Sequence, residues 1–437
     1  MSIPTLQGLQ TALSGLLAEQ QALDVTGHNI ANANTEGYSR QSAVLETNQA
    51  IPIPALSSLT GQGAQLGTGV TVETYTRIRN SYLDAQWRTQ NTALSGASTQ
   101  AEELTQAQGA FNEPSSTGIS SQLSAFWSAW NSLASSPNSE AAKAGVVAAG
   151  ERLASAFNQL SGQLATISSQ AGEQYAARTA PSGEVQDMAN QLAQLNGQIK
   201  LAEQAGQPPN DMLDRRDLLL DKLSALASVT VTQQQNGTDT VTFGDAAKPL
   251  VEGTTVNWPQ TLTSAAGGQL GALLGLTGPG GTLSSIQGEL DTVAASVAGS
   301  VNALHTSTPF FSGTTAATLA VAVKPSQVQT SSTKTAGGND VALAIAGLRG
   351  GAADQGYSAL VEQVGSSVQG AQNEQTNLQT VLTTIGNQRQ SVSGVSLDEE
   401  MTNLISFQRG YQASARTLTA MDAMLETLIE HTGVVGL

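Results

Sequence analysis

The chain has 437 residues, room for roughly two to four domains, with 34 acidic and 18 basic side chains and a formal net charge of −16. Charged residues make up only 12% and aromatics 4%; there is no cysteine, and the three histidines, His28, His305 and His431, are far apart. This excludes a disulfide framework, thiolate metal sites and a cysteine nucleophile, leaves little material for a metal or cofactor site, and argues against nucleic acid as a partner, since phosphates call for a basic face.

Along the chain, residues 1–21 lack a basic n-region and carry glutamines among their apolar residues, unlike a cleaved secretory signal. No run of about 18 apolar residues suggests a membrane span. Residues 5–32 place Leu6, Leu9, Leu13, Leu16, Gln20, Leu23, Gly27 and Ile30 at alternating steps of three and four, a heptad seam on a helix roughly 40 Å long. One seam cannot bury itself, so a partner helix is expected. Residues 33–66 break the period with the turn at Asn34-Thr35-Glu36-Gly37 and with Pro52 and Pro54. A short strand is expected at 69–75.

Helical patterns follow at about 79–110, 119–135, 139–175, 183–205 and 208–227, the last with Asn210 or Asp211 as candidate cap. Val229–Thr232 and Thr240–Phe243 read as a hairpin, 282–305 as a helix, 308–335 as a second β-like patch and 340–393 as helix again. Ser396-Leu397-Asp398-Glu399 fits a capping box. Beyond it Leu397, Met401, Leu404, Gln408, Tyr411, Ala415, Leu418, Asp422, Leu425 and Ile429 repeat the three/four spacing. The simplest arrangement pairs this seam with the N-terminal one. Polar faces rich in Ala, Gln, Ser and Thr suit packing against further copies of the chain.

Little here points to chemistry. The glycine runs at 61–67 and 278–281 miss the spacing of phosphate-binding loops. Asp214-Arg215-Arg216-Asp217 reads as a solvated or inter-helix salt-bridge face rather than a catalytic carboxylate pair. Asp398-Glu399-Glu400 reads as helix capping rather than a cation site, and His28 as a hydrogen-bonding residue. No catalytic, cofactor-binding or metal residue is assigned, and an enzyme is not expected.

Gly27-His28-Asn29-Ile30-Ala31-Asn32-Ala33-Asn34-Thr35-Glu36-Gly37-Tyr38-Ser39-Arg40-Gln41 resembles the N-terminal signature of the bacterial flagellar axial proteins of rod, hook and hook-associated type. Its Tyr-Ser-Arg-Gln ending looks like the hook-associated members; hook and rod relatives more often continue with Gly-Phe-Lys. Residues 393–400 and Phe407-Gln408-Arg409-Gly410-Tyr411 are similar to the same family, as are 210–217, Leu290-Asp291, 301–305 and Phe310-Phe311. Asn29, Asn32, Asn34, Gly37, Tyr38 and Arg40 are its signature turn.

The resemblance implies a mainly α fold with a small β domain. An inner coiled-coil domain (1–66 and 394–437), a helical bundle (67–228, 267–306 and 337–393) and a β-rich outer part (229–266 and 307–336) are expected. About 25 residues separate Phe311 from Gly337, so the family's outermost domain looks absent or vestigial. The resemblance further implies a structural subunit of the hook–filament junction, exported by the flagellar type III route without a cleaved leader. It would form a ring of copies outside the cell, between hook protein and a second junction protein, with an export chaperone at the C-terminal helix. Another axial role, as hook or distal-rod subunit, is the alternative.

Overall fold

The computed structural model describes residues 4–53, 64–333, 335 and 337–432, and for 4–6, 52, 53, 64, 431 and 432 the backbone alone. The fold is mainly α with a few small antiparallel sheets, in the class that the sequence predicts.

Helix α1 (Pro4–Asn32) runs beside α11 (Leu397–Thr432), and a two-stranded ribbon of β1 (Gln41–Thr47) and β4 (Val70–Arg77) packs on α1. A bulge at Val44/Leu45 shifts the register of that ribbon. Strands β2 (Ile51–Ile53) and β3 (Ala64–Leu66) pair beyond it. Pro54 and Gly61–Gly63 lie outside the described residues. Strand β1 occupies a stretch expected to be irregular. Its sequence, QSAVLET, alternates weakly, and its partner is some 30 residues away, so local pattern gives little sign of it.

The bundle begins at α2 (Ser81–Phe111). Asn80 caps it by accepting from the amides of Tyr82 (3.0 Å) and Leu83 (3.3 Å), and Asn112 ends it in a left-handed conformation at φ 51°. Helices α3 (Ile119–Ser135), α4 (Glu140–Thr179), α8 (Thr282–Leu304), α9 (Asp340–Ala346) and the 42-residue α10 (Ala352–Ser393) pack with it. In α3 the three/four spacing of Ile119, Leu123, Phe126, Trp130 and Leu133 makes one wholly buried face. Its aromatics meet Phe310 and Phe311, with ring centroids 5.4 Å apart for Trp130–Phe310 and 5.5 Å for Phe126–Phe311.

A second core joins α5 (Glu184–Gln204) and α6 (Asn210–Leu226) to the meander β5 (Val229–Gln233), β6 (Asp239–Phe243), β7 (Val251–Glu252) and β8 (Thr255–Val256), with α7 (Gly268–Thr277) closing it. The two β patches expected in one outer part are thus separate. Residues 229–256 form the meander of the second core. Strands β9 (Phe311–Ser312) and β10 (Ala320–Val321) form their own pair against the first. The aromatic pair Phe310–Phe311 causes the separation: both rings are buried with α3, which ties the 307–336 segment to the bundle. The cap of α6 also differs. Pro209 holds the cap position, and Asn210 and Asp211 turn their side chains toward β1 and β4 instead.

Candidate assembly interface of the terminal helices

The α1–α11 pair is antiparallel. Gly8 lies against Met421, Gly15 against Ser414 and Gly410 against Glu19, and a Cβ at any of the three would come within 3.2 Å of that neighbour. Close approach selects small residues, so α1 buries Ala12, Ala18, Ala22, Thr26 and Asn29. The leucine seam expected to be the contact stands at its flank. Leu9, Leu16, Leu23 and Ile30 are half-buried, Leu13 is 42% exposed, and the side chain of Leu6 lies outside the described residues. On α11, Leu404, Tyr411, Leu418 and Leu425 are the half-buried row toward α1. Leu397, Met401 and Ile429 are exposed, at 74% for Ile429.

The signature turn closes the other end of the pair. Asn29 is 1% exposed and satisfies all of its bonding groups. Its Nδ2 donates to the Gln41 carbonyl (2.9 Å) and to Glu400 Oε2 (3.1 Å). Its Oδ1 accepts from the Tyr38 hydroxyl (2.7 Å) and the Gln41 amide (3.0 Å). One side chain therefore ties α1 to β1 and to the first turn of α11. Asn32 Nδ2 donates to the His28 carbonyl (3.0 Å) and its Oδ1 accepts from Thr35 (3.1 Å), shaping the turn; Asn34 is exposed. Gly37 has φ +79°, and a Cβ there would press on Leu218 at 3.1 Å. The Tyr38 ring meets His28 edge-on, and burial, helped by Asp211, Asp214 and Glu400, raises its hydroxyl pKa above the ordinary value. The expected capping box is half formed. Ser396 Oγ accepts from the Glu399 amide at 3.5 Å, but the Glu399 carboxylate pairs with Arg40 instead of reaching back.

Between the terminal pair and the bundle lies a cluster of four arginines and four aspartates, drawn from β4, the following loop, α2, α6 and α10. Arg77 holds Asp214 (2.8 Å) and Asp217 (2.9 Å), and Arg79 holds Asp84 (2.6 Å) and Asp217 (3.2 Å). Arg88 holds Asp221 (2.7 Å) and Asp217 (3.2 Å), and Arg389 holds Asp84 (2.8 Å) and Asp221 (2.6 Å). The Ser39 amide donates to Asp214 (3.1 Å), joining the signature turn to it. Burial opposes ionisation of Asp217, yet the guanidinium groups of Arg79, Arg77 and Arg88 outweigh it and hold its carboxyl below the usual range. So Asp214 and Asp217 serve an inter-helix ion-pair face, buried rather than solvated, and Arg215 stays exposed outside it. Sequence reasoning did not single out Arg77, Arg79, Arg88, Asp84, Asp221 or Arg389. The available signal was the spacing of Asp214, Asp217 and Asp221 on one face of α6. Arg216 is separate: it lies 3.0 Å from Asp239 in the second core, with burial pushing its pKa down and that of Asp239 up. Among the described residues no group of three or more His, Asp or Glu side chains is arranged to hold a metal ion, and no helix is long and apolar enough to cross a membrane.

Comparison with known proteins places these segments. The flagella basal body rod protein family matches residues 9–38, covering α1 and its turn. The flagellar basal body rod FlgEFG protein C-terminal family matches 387–430, and the flagellar hook-associated protein FlgK helical domain matches 104–265. Flagellar hook-associated protein 1 of Bacillus subtilis is 30% identical over 507 aligned positions that cover 99% of both chains. The chain belongs to the flagellar hook-associated protein 1 family. The relative from Salmonella typhimurium is 30% identical over 257 residues, 58% of this chain and 44% of its own length. The flagellar hook junction protein FlgK from Burkholderia pseudomallei superposes on 51% of this chain and 43% of its own with a TM-score of 0.45 at 25% identity. Within the family frame, the two rod-type matches fall on the helices that pair, and the hook-associated match falls on the bundle and meander.

Proposed function

We propose that this chain is a structural axial subunit of the bacterial flagellum, set between hook and filament, and that its role is assembly rather than catalysis. Full-length kinship with a hook-associated protein 1 carries the reading. The hook-associated helical domain at 104–265 favours it over a hook or distal-rod role, since only the terminal matches are shared with rod proteins. The terminal pair supports it physically: α11 rests on a single helix and leaves Met401, Ile405 and Met424 in solvent, an apolar surface that copies in a ring would cover. In this reading the half-buried and exposed seam residues pack between subunits, hook protein lies on one side and a second junction protein on the other. The subunit leaves the cell by the flagellar export route, and a chaperone holds α11 before assembly.

A deletion strain tests it. Intact hooks without filaments, with flagellin shed into the medium, is the expected outcome. Absent hooks would assign the chain to the hook or rod instead.

A further inference from the structure

Strand β5 is an edge of the meander in the second core: among the described residues it pairs with β6 on one side and with no strand on the other. Two hydrogen bonds fix which of its peptide groups are in use. The Gln234 amide donates to the Thr238 carbonyl (2.8 Å), and the Gly244 amide donates to the Ser228 carbonyl (2.7 Å), so the even-numbered residues turn their peptide groups toward β6. By alternation Val229, Val231 and Gln233 turn theirs away. Among the described residues no hydrogen bond from another element reaches the peptide groups of these three. Free edges of this kind are templates for another strand and are commonly blunted by Lys, Pro or a bulge. The sequence of β5, VTVTQ, has neither residue, and its register with β6 is regular.

The free edge forms one wall of a cleft of about 470 Å³ that the end of β4 and the first turns of α2 close on the other side. That volume lies within the range of about 300–1,000 Å³ usual for ligand sites. Four arginines, Arg77, Arg79, Arg88 and Arg216, line it against three aspartates, Asp84, Asp217 and Asp239. In a chain of net charge −16, this is a place where cations outnumber anions. Arg77 uses only Nη1, on Asp214 and Asp217, which leaves its Nε and Nη2 donors, the pair that grips a carboxylate with two bonds, without a partner among the described residues. Arg216 Nε and Asp239 Oδ1 are buried without a hydrogen-bond partner, although Arg216 Nε stands 3.0 Å from Asp239 Oδ2. Burial raises the pKa of Asp239, which tilts the lining further toward positive charge.

We propose that this cleft is a docking site for an extended, acidic segment of a partner protein, which adds to the meander as a strand beside β5. Its backbone bonds the free peptide groups of Val229, Val231 and Gln233. Side chains two residues apart, roughly 7 Å, point to one face, so alternate Asp or Glu residues meet the arginine wall. The main chain supplies affinity and the guanidinium groups select the charge. The site stands apart from the α1–α11 contact and does not depend on the axial-subunit reading.

Peptide binding to the purified full chain is the test. The probes are two fluorescently labelled, end-capped hexapeptides, one alternating valine with glutamate and one alternating valine with lysine. By anisotropy the glutamate peptide should bind at least about tenfold more tightly, and its affinity should fall as salt rises. It should slow amide exchange at Val231 and Gln233, with little change at Thr230 and Thr232, which are already bonded to β6. Thr89→Glu, on an exposed position of α2 that lines the cleft, should weaken binding about tenfold and leave melting unchanged. Val231→Pro removes an amide that the fold itself does not use, a change edge strands tolerate, and should keep the melting temperature near wild type while abolishing the protection. Equal affinity for the two peptides, no saturable binding of either below about 1 mM, or undiminished binding by folded Val231→Pro would overturn the proposal. So would self-association of the purified chain that Val231→Pro abolishes, since the edge would then belong to a second copy. Where Val231→Pro fails to fold, Thr89→Glu and the exchange pattern decide.

Discussion

Replacing Asn29 with alanine removes four hydrogen bonds from a site closed to water. The bonds to the Gln41 peptide groups and from Tyr38 are each worth about 1 kcal/mol, and the charge-assisted one to Glu400 about 2 kcal/mol. Water entering the vacated space recovers part of this, leaving a cost of about 3 kcal/mol. Asn29 lies outside both hydrophobic cores, so the cost falls on the terminal pair and the ribbon and spares the bundle. Hydrogen exchange followed by mass spectrometry reads this directly. Peptides covering 12–32, 41–47 and 397–415 should lose protection by about a hundredfold, while those covering α3 keep theirs. Wild-type exchange at the Gln41 amide would refute the reasoning, as would an equal loss of protection around Trp130.

The remaining expectations concern the bundle. His305 is 1% exposed; its Nε2 accepts from the Gln329 amide (2.8 Å), so Nδ1 carries the hydrogen and donates to the Thr308 carbonyl (2.5 Å). Burial lowers its pKa from 6.5, so the fold favours the neutral ring. The stability this gives is present above about pH 6.5 and is lost as pH falls toward the folded value. A nuclear magnetic resonance titration should place His305 below 6.5, and a value above it would contradict the tautomer. Arg389→Met strips a cation from Asp84 and Asp221 together and should cost about 3–5 kcal/mol in urea unfolding, with little dependence on salt; a cost under about 1 kcal/mol would mean the cluster is solvated.

The sequence carries the helical architecture well because its signals are local. The helix starts near residues 79, 119 and 139, the buried row of α3 and the inner row of α11 all follow from spacing and end residues. On α1 spacing alone misleads. A heptad of leucines marks an apolar stripe, but Gly8, Gly15 and Gly410 let the helices come so close that alanines take the centre of the contact. The joint was legible only in pieces. Asn29 and Arg40 stand in a recognisable turn, whereas their partners Glu400 and Ser393 are more than 350 residues away, and Asn210 was recruited from a cap to bridge Gln41 and Tyr75. Long-range pairing of this kind leaves no periodic trace.

The chain passes between the terminal unit and the bundle twice, at residues 78–80 and 394–396, and both passages are stitched to the backbone of one residue. The Arg40 amide donates to the Ser393 carbonyl (2.9 Å), and the Arg40 carbonyl accepts from the Ile78 amide (2.8 Å). A twisting load applied to the α1–α11 pair therefore reaches the bundle through the backbone of Arg40 and, beside it, through the bonds of Ser39, Gln41 and Arg77 to α6. Torque passed along a shaft is carried across such a joint by several parallel ties rather than by one covalent thread.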